Sequence, residues 1–285
     1  MHPAIRPENV AVITGAASGI GLAAAERFAA LGMRVVLADS NGAALTAAKD
    51  RVGRIASAPS RILAVATDVG RREEVEALKS HTYDAFGRVD LLMNNAGRSP
   101  DGNLFGDPAH WHEVLDANLW GVVHGVQLFA PAMIGQGSDA VIINTGSKQG
   151  ITTPPGNTAY NVSKAGVKVV TEALAHELRN LENCRVTAHL LVPGFVFTGL
   201  TSGGRTEKPA GAWNPEQVVD FMLEAIGRGD FYILCPDNDV TRAMDEKRVL
   251  WAAQDIIENR PALSRWHKDY QAAFAAFMKQ PSIGD

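Results

Sequence analysis

Tyr160 and Lys164 stand four positions apart, in Tyr160-Asn161-Val162-Ser163-Lys164, near the start of a stretch that reads as helix from Thr158 to Leu181. Residues at i and i+4 share a helical face, so this spacing brings the Lys164 ammonium near the Tyr160 phenol. A free phenol titrates near pKa ~10, too high for a base at neutral pH. Bringing it to about 7 requires roughly 4 kcal/mol of preference for the phenolate, at about 1.36 kcal/mol per unit. A neighbouring cation supplies part of that preference. Such a pair can take up and return a hydroxyl proton. Taken alone it would mean little, since Tyr and Lys meet at this spacing on many helix surfaces. It has company. Ser147, in Asn144-Thr145-Gly146-Ser147, follows a short apolar run and offers a hydroxyl to a substrate oxygen. Asn118, in Asp116-Ala117-Asn118, puts an amide inside a long helical stretch, where it is mildly unfavourable. A local distortion holding a water there would give Lys164 a proton path to solvent. The candidate catalytic residues are therefore Asn118, Ser147, Tyr160 and Lys164.

These residues need a scaffold. Apolar runs that read as strands occur at 10–14, 34–38, 62–66, 89–93, 140–144 and 185–191, with a seventh at 231–235. Longer helical stretches lie between them, among them 21–31, 72–86, 108–133 and 158–181. Repeated strand–helix alternation implies parallel strands joined by crossover helices, hence a doubly wound α/β sheet. The strand runs are apolar without alternation, as expected where both faces are covered. Ser147 then falls just past the fifth strand, on the side where an open parallel sheet binds its ligand.

The ligand is suggested by the first turn, Thr14-Gly15-Ala16-Ala17-Ser18-Gly19-Ile20-Gly21. Glycines between a strand and a helix permit a tight turn and close approach of a pyrophosphate to the helix N-terminus. Gly15, Ser18, Gly19, Ile20 and Gly21 are the candidates. Asp39 ends the second strand; its carboxylate can accept bonds from the adenosine ribose and would repel the 2′-phosphate of NADP. The following residues, Ser40-Asn41-Gly42, hold no Arg or Lys, so NAD is preferred over NADP. An Asp that merely caps a turn is the alternative reading of Asp39. Asp68-Val69 and Asn95-Ala96-Gly97 follow the third and fourth strands. Pro193-Gly194, Val196 and Thr198 follow the sixth, with Thr198 able to bond the nicotinamide carboxamide. The positive ring of an oxidised nicotinamide would further favour the Tyr160 phenolate.

Bulk properties limit the alternatives. With 285 residues, 46% hydrophobic and 20% charged, the chain suits one large domain. A formal charge of −4 gives no basic excess for nucleic acid or an anionic membrane surface. Cys184 and Cys235 form no CxxC pair, and no metal site is expected. The start of the chain lacks a signal peptide's apolar stretch, and no apolar run approaches the ~18 residues of a membrane span. A cytoplasmic protein is expected.

Taken together, Thr14-Gly15…Gly19…Gly21, Asn94-Asn95-Ala96-Gly97, Asn118, Ser147, Tyr160…Lys164 and Pro193-Gly194…Thr198 resemble the short-chain dehydrogenase/reductase family. The resemblance runs over about 8–236, in the family's order and near its spacing. It implies a Rossmann-like fold with a seven-stranded sheet, an Asn-Ser-Tyr-Lys catalytic set, interconversion of an alcohol and its carbonyl, and a homodimer or homotetramer. The expected substrate is a small alcohol, secondary and fairly apolar. Two departures stand out: a helical C-terminal extension over about 237–285, and Lys148 in Gly146-Ser147-Lys148-Gln149-Gly150, where many members carry an apolar residue. An NADP-dependent carbonyl reductase is the alternative within the family. A nucleotide-binding regulator without catalysis is the alternative outside it, although such a protein has no chemical need for all four catalytic residues.

Several residues keep two readings. Arg98 meets either a substrate carboxylate or solvent. Lys148 and Gln149 either line the substrate pocket or do not. Phe195 and Phe197 form a pocket wall or pack in the core. His110 and His112, two apart, do not share a helical face and so do not suggest a metal. The segment 198–213 reads as a long mobile lid. In the tail, Trp266, Tyr270, Phe274 and Phe277 recur at helical spacing and would form one aromatic helix face, packing on the body or a partner subunit or lining substrate.

Overall fold

A computed structural model describes residues 1–100 and 102–281. Asp101 and the last four positions of the expected C-terminal extension lie outside the described residues. In chain order the elements are β1 (Val10–Thr14), α1 (Gly19–Ala30), β2 (Arg34–Asp39), α2 (Gly42–Gly53), β3 (Ile62–Ala66), α3 (Arg72–Phe86), β4 (Leu91–Asn94), α4 (Pro108–Leu115), α5 (Gly121–Gly135), β5 (Ala140–Thr145), α6 (Gln149–Thr152), α7 (Thr158–Asn180), β6 (Val186–Val192), α8 (Pro215–Arg228), β7 (Tyr232–Leu234), α9 (Arg242–Ile257) and α10 (Gln271–Met278).

The seven strands form one parallel sheet in the order β3-β2-β1-β4-β5-β6-β7. This is the Rossmann-like arrangement expected from the strand–helix alternation. The order reverses between β1 and β4, which opens a crevice beyond the carboxyl ends of the strands. Strand periodicity explains the absence of alternation in the sequence. Ala11 and Ile13 of β1 enter the layer beneath α1, α2 and α8, while Val10 and Val12 enter the opposite layer with Leu78 of α3, Phe129 of α5 and Leu174 of α7. Both layers need apolar side chains, so every position of β1 is buried.

Three expectations require correction. The stretch 108–133 is not one helix: α4 and α5 are separated by a π-helical turn at Asp116–Trp120, which contains Asn118. One residue is inserted relative to α geometry there, and such bulges recur at functional sites. The fourth strand starts at Leu91 rather than Val89, because Val89 instead meets Gln136 with both its N–H and its C=O. The tail aromatics do not share a continuous helix. Trp266 and Tyr270 fall in two 3-10 turns, and only Phe274 and Phe277 lie on α10.

Phe274 and Phe277 pack within the tail, against Trp251. Trp251 of α9 is buried, with Phe274 and Phe277 at ring-centroid distances of 5.2 Å each and the Arg260 guanidinium 4.1 Å above its ring. The Trp251 indole N–H donates to Ser264 Oγ at 2.8 Å, so its polar edge is satisfied. Among the described residues no helix is long and apolar enough to cross a membrane.

Candidate active site

The glycine turn between β1 and α1 depends on backbone that only glycine adopts easily. Gly15 and Gly19 have φ of +64° and +53°. Thr14 pins the opposite wall: its hydroxyl accepts from the backbone N–H groups of Asn95 and Ala96 at 2.9 and 3.1 Å. Ser18 caps α1 without a side-chain bond, which leaves the first-turn N–H groups for a ligand. At the far side Asp39 is held in place, one carboxylate oxygen accepting from Ala17 N at 3.1 Å and the other from Asn41 N at 2.9 Å. This fixes a negative charge beside the turn.

From there a cavity of about 620 Å³ runs to the ends of β5 and β6. Its walls include Gly15, Ser18, Gly19, Ile20, Asp39, Asn95, Ala96, Gly97, Ser147, Tyr160, Lys164, Pro193, Gly194, Val196 and Thr198. Asp68 and Val69 border a smaller adjoining hollow together with Asp39 and Ser40. Two predicted residues do not face the cavity. Gly21 lies under the turn, where an added Cβ would overlap the Gly15 carbonyl oxygen and come within 2.7 Å of Asn95 Nδ2, so its role is packing. Asn118 is fully buried behind the cavity. Its amide accepts from Arg98 N at 2.7 Å and donates to Arg98 O at 3.0 Å and Ser163 Oγ at 3.1 Å. It ties the turn after β4 to α7.

At the chemical end, Asn157 caps α7 by accepting from Tyr160 N at 3.2 Å, which starts the helix at the right residue to aim Tyr160 inward. Lys164, one turn on, donates to Thr145 O at 2.8 Å and lies 5.7 Å from the Tyr160 ring centre. Ser147 and the Tyr160 phenol line the same end of the cavity. Gly150 lets the loop carrying Ser147 sit directly on α7, since a Cβ there would lie 2.5 Å from the Lys164 backbone. Burial pushes the phenol above its usual value, and the nearby Ser147 hydroxyl pulls it back only in part. Burial also brings Lys164 down to about 8.

The two-way readings resolve as follows. Arg98 reaches across to the Asp39 end of the cavity, pairing with Glu113 at 3.0 Å and meeting Ser40 Oγ at 3.4 Å. Lys148 edges the cavity, but its ammonium is engaged by Asp245 at 2.6 Å and Asp237 at 3.4 Å. Gln149 is exposed at the cavity rim, and Phe195 forms part of its wall. The segment 198–213 is closed at its base by Phe197 N to Trp213 O at 2.9 Å and Trp213 N to Phe195 O at 2.8 Å. Asn214 then starts α8, with Pro215 next and Gln217 accepting from Asn214 N at 2.9 Å. Among the described residues no group of three or more His, Cys, Asp or Glu could hold a metal ion. Thr145 and Asn157 were missed in the sequence. An Asn just before a helical run was a legible cap signal; the Thr145 carbonyl carried none.

An open parallel sheet with a glycine turn at its switch point, an acidic residue ending β2 and a tyrosine–lysine pair at the far end of one cleft defines a dinucleotide-binding oxidoreductase site. The short chain dehydrogenase family model matches residues 9–209. A 1-deoxy-11-beta-hydroxypentalenate dehydrogenase of Streptomyces exfoliatus is 32% identical over 264 residues, covering 90% of this chain and 94% of the relative. A short chain dehydrogenase/reductase from Burkholderia phymatum, solved in complex with NAD, is 37% identical with a TM-score of 0.80, over 90% of this chain and 97% of that one. A metagenomic short-chain oxidoreductase in complex with NADP is 28% identical with a TM-score of 0.68, over 81% of this chain and 97% of that one. The chain belongs to the short-chain dehydrogenase/reductase family, whose members are oxidoreductases acting on CH–OH groups and using NAD(H) or NADP(H).

Proposed function

We propose that this protein is an NAD-dependent dehydrogenase that interconverts a fairly apolar secondary alcohol and its ketone, with Tyr160 as acid/base. The observation that carries the reading is the gathering of Ser147, Tyr160 and Lys164, the last 5.7 Å from the Tyr160 ring centre, at one end of the cavity whose other end holds the fixed Asp39 carboxylate. Asp39 supports NAD over NADP through its charge, and the NAD-bound relative agrees with that. The hydroxypentalenate dehydrogenase relative, matched over 90% of this chain, supports oxidation of a hydroxyl group on a small organic substrate.

The residues divide the work in a definite way. Gly15, Ser18, Gly19 and Ile20 offer backbone to the pyrophosphate; Asp39 takes the adenosine ribose; Asp68, Val69 and Asn95-Ala96-Gly97 border the adenine side. Pro193, Gly194, Val196 and Thr198 support the nicotinamide end. A nicotinamide bound there supplies the carbon that exchanges hydride with substrate, and its positive charge when oxidised favours the phenolate. Ser147 donates to the alcohol oxygen and orients it. Tyr160 removes the hydroxyl proton, and returns it in the reverse direction. Lys164 steadies the phenolate and holds the neighbouring ribose. Asn118 helps pass the proton outward, by shaping the π-helical turn in which it sits. The chain works as one cytoplasmic catalytic domain, as a homodimer or homotetramer. The test is an NAD-reduction screen over sterol, aromatic, sugar and short aliphatic alcohols. Turnover of apolar secondary alcohols is expected; a preference for sugars, or equal rates with NADP, would overturn the reading.

A further inference from the structure

The extension begins at residue 237, and the first turn of it, 237–240, touches three segments that surround the reacting end of the cavity. Asp237 Oδ2 accepts from Phe195 N at 3.1 Å, in the turn after β6. The same oxygen lies 3.4 Å from Lys148 Nζ, next to the substrate-orienting Ser147. Asp237 Oδ1 closes its own turn by accepting from Asp239 N at 3.1 Å and Val240 N at 2.8 Å. Asn238 grips the lid segment, its N–H donating to Gly211 O at 3.1 Å and its amide to Ala210 O at 2.6 Å and Ala212 O at 3.2 Å. Gly194 and Gly211 make room for this junction. A Cβ on Gly194 would lie 2.6 Å from Asp237 Oδ2 and 3.0 Å from Lys148 Nζ, and one on Gly211 would overlap the Asp239 carboxylate.

Helix α9 locks the junction. Asp245, in its first turn, sits 2.6 Å from Lys148 Nζ and 3.6 Å from Arg248. The Asp237 and Asp245 side chains are 6% and 5% exposed and Lys148 is 18% exposed, so these are buried charges. Removing one member of a buried pair leaves its partner uncompensated, at a cost well above that of a surface pair. Buried ionic groups of this kind can fix a register, whereas apolar packing slides more easily.

We propose that Lys148, Asp237 and Asp245 are positioning residues that clamp the C-terminal extension onto the active site, so that α9 sets the placement of Ser147 and of the lid at 198–213. The extension is then part of the catalytic apparatus, and the Lys after Ser147 is there to be clamped rather than to bind substrate. This rests on the dehydrogenase reading for its kinetic arm only.

The test compares Lys148→Met, Lys148→Arg and Asp245→Asn with a control, Lys247→Met. Lys247 holds the far end of the tail, donating to Met278 O at 2.9 Å and Gln280 O. Backbone hydrogen exchange over 194–213 needs no turnover. It is expected to speed at least tenfold in Lys148→Met and Asp245→Asn, and to stay within twofold of wild type in the control. With an alcohol from the screen, kcat is expected to fall tenfold or more in the same two variants. NAD affinity, read by fluorescence, should stay within threefold. Lys148→Arg should restore kcat to within about threefold of wild type. Unchanged exchange over 194–213 in Lys148→Met overturns the proposal, as does an equal fall of kcat in the control. Should Lys148→Met fail to fold by circular dichroism, Asp245→Asn and Lys148→Arg decide by the same limits. Absence of turnover in wild type counts against the dehydrogenase reading alone, because the exchange arm still decides the clamp.

Discussion

Asp39→Asn should convert the cofactor preference, and its size follows from the geometry around the glycine turn. The carboxylate is fixed by Ala17 N and Asn41 N, so it cannot swing away from a ligand on that wall. A 2′-phosphate carries about −1.5 to −2 charges near neutral pH. At about 4 Å each like-charge pair is worth about 1 kcal/mol in water and about 4 kcal/mol in the effective medium of a protein surface. The lower limit, about 1.5 kcal/mol, is already roughly tenfold in affinity. The substitution also leaves Arg98 as the dominant charge nearby, 3.4 Å from Ser40 Oγ and restrained by Glu113. The amide keeps one acceptor for the two backbone donors, so the turn should persist while NAD loses some of its ribose contact. The expected outcome is a rise in the NADP-to-NAD ratio of kcat/KM of roughly tenfold or more. Initial rates with both cofactors against one alcohol measure it. A ratio within threefold of wild type would show that Asp39 does not carry the selectivity, and the preference for NAD would lose its physical basis.

Tyr160→Phe should lower kcat by roughly 10²–10⁴, the usual worth of a positioned acid/base, with NAD affinity by fluorescence nearly unchanged. Lys164→Met isolates a titration, because burial brings Lys164 down to about 8. Below that pH both folded and unfolded chains hold the proton; between about 8 and ~10.4 only the unfolded chain does, so raising the pH favours folding. The stability of wild type relative to Lys164→Met, from urea curves at pH 7.5 and 10, should therefore rise by about 2–3 kcal/mol, and a flat or falling difference would refute the buried, neutralisable ammonium. Gly125→Ala places a Cβ on the Asn94 side chain. It should cost about 1–3 kcal/mol in thermal or urea unfolding by overpacking α5 against β4. Trp251→Ala removes the buried centre of the tail and should cost about 3–5 kcal/mol, with the extension opening first in limited proteolysis.

The sheet and the cleft were legible because their signals are local. Strand runs, the glycine turn and the i,i+4 tyrosine–lysine pair all act over a few residues, and the order of β-strand ends follows from right-handed crossovers. Asp39, Ser147 and the Pro193–Thr198 segment could therefore be assigned to one cleft before any coordinates. The distortion at Asn118 was also suggested by residue type, since an amide inside a helix needs a reason.

What tertiary structure decided were partnerships between residues distant in sequence. Lys148 meets Asp237 across 89 positions, and nothing in its local context separates a substrate-binding lysine from a clamped one. Arg98 turned toward Asp39 because Glu113 and Ser40 lie there. The tail aromatics kept helical spacing, yet extended backbone at His267 separates Trp266 from Tyr270, and only Phe274 and Phe277 reach Trp251. The direction of the Tyr160 shift belongs here too: spacing announces the cation, but burial, a sum over everything packed around the phenol, sets which influence wins. Periodicity and spacing specify which face a residue occupies; only the folded chain specifies what that face meets.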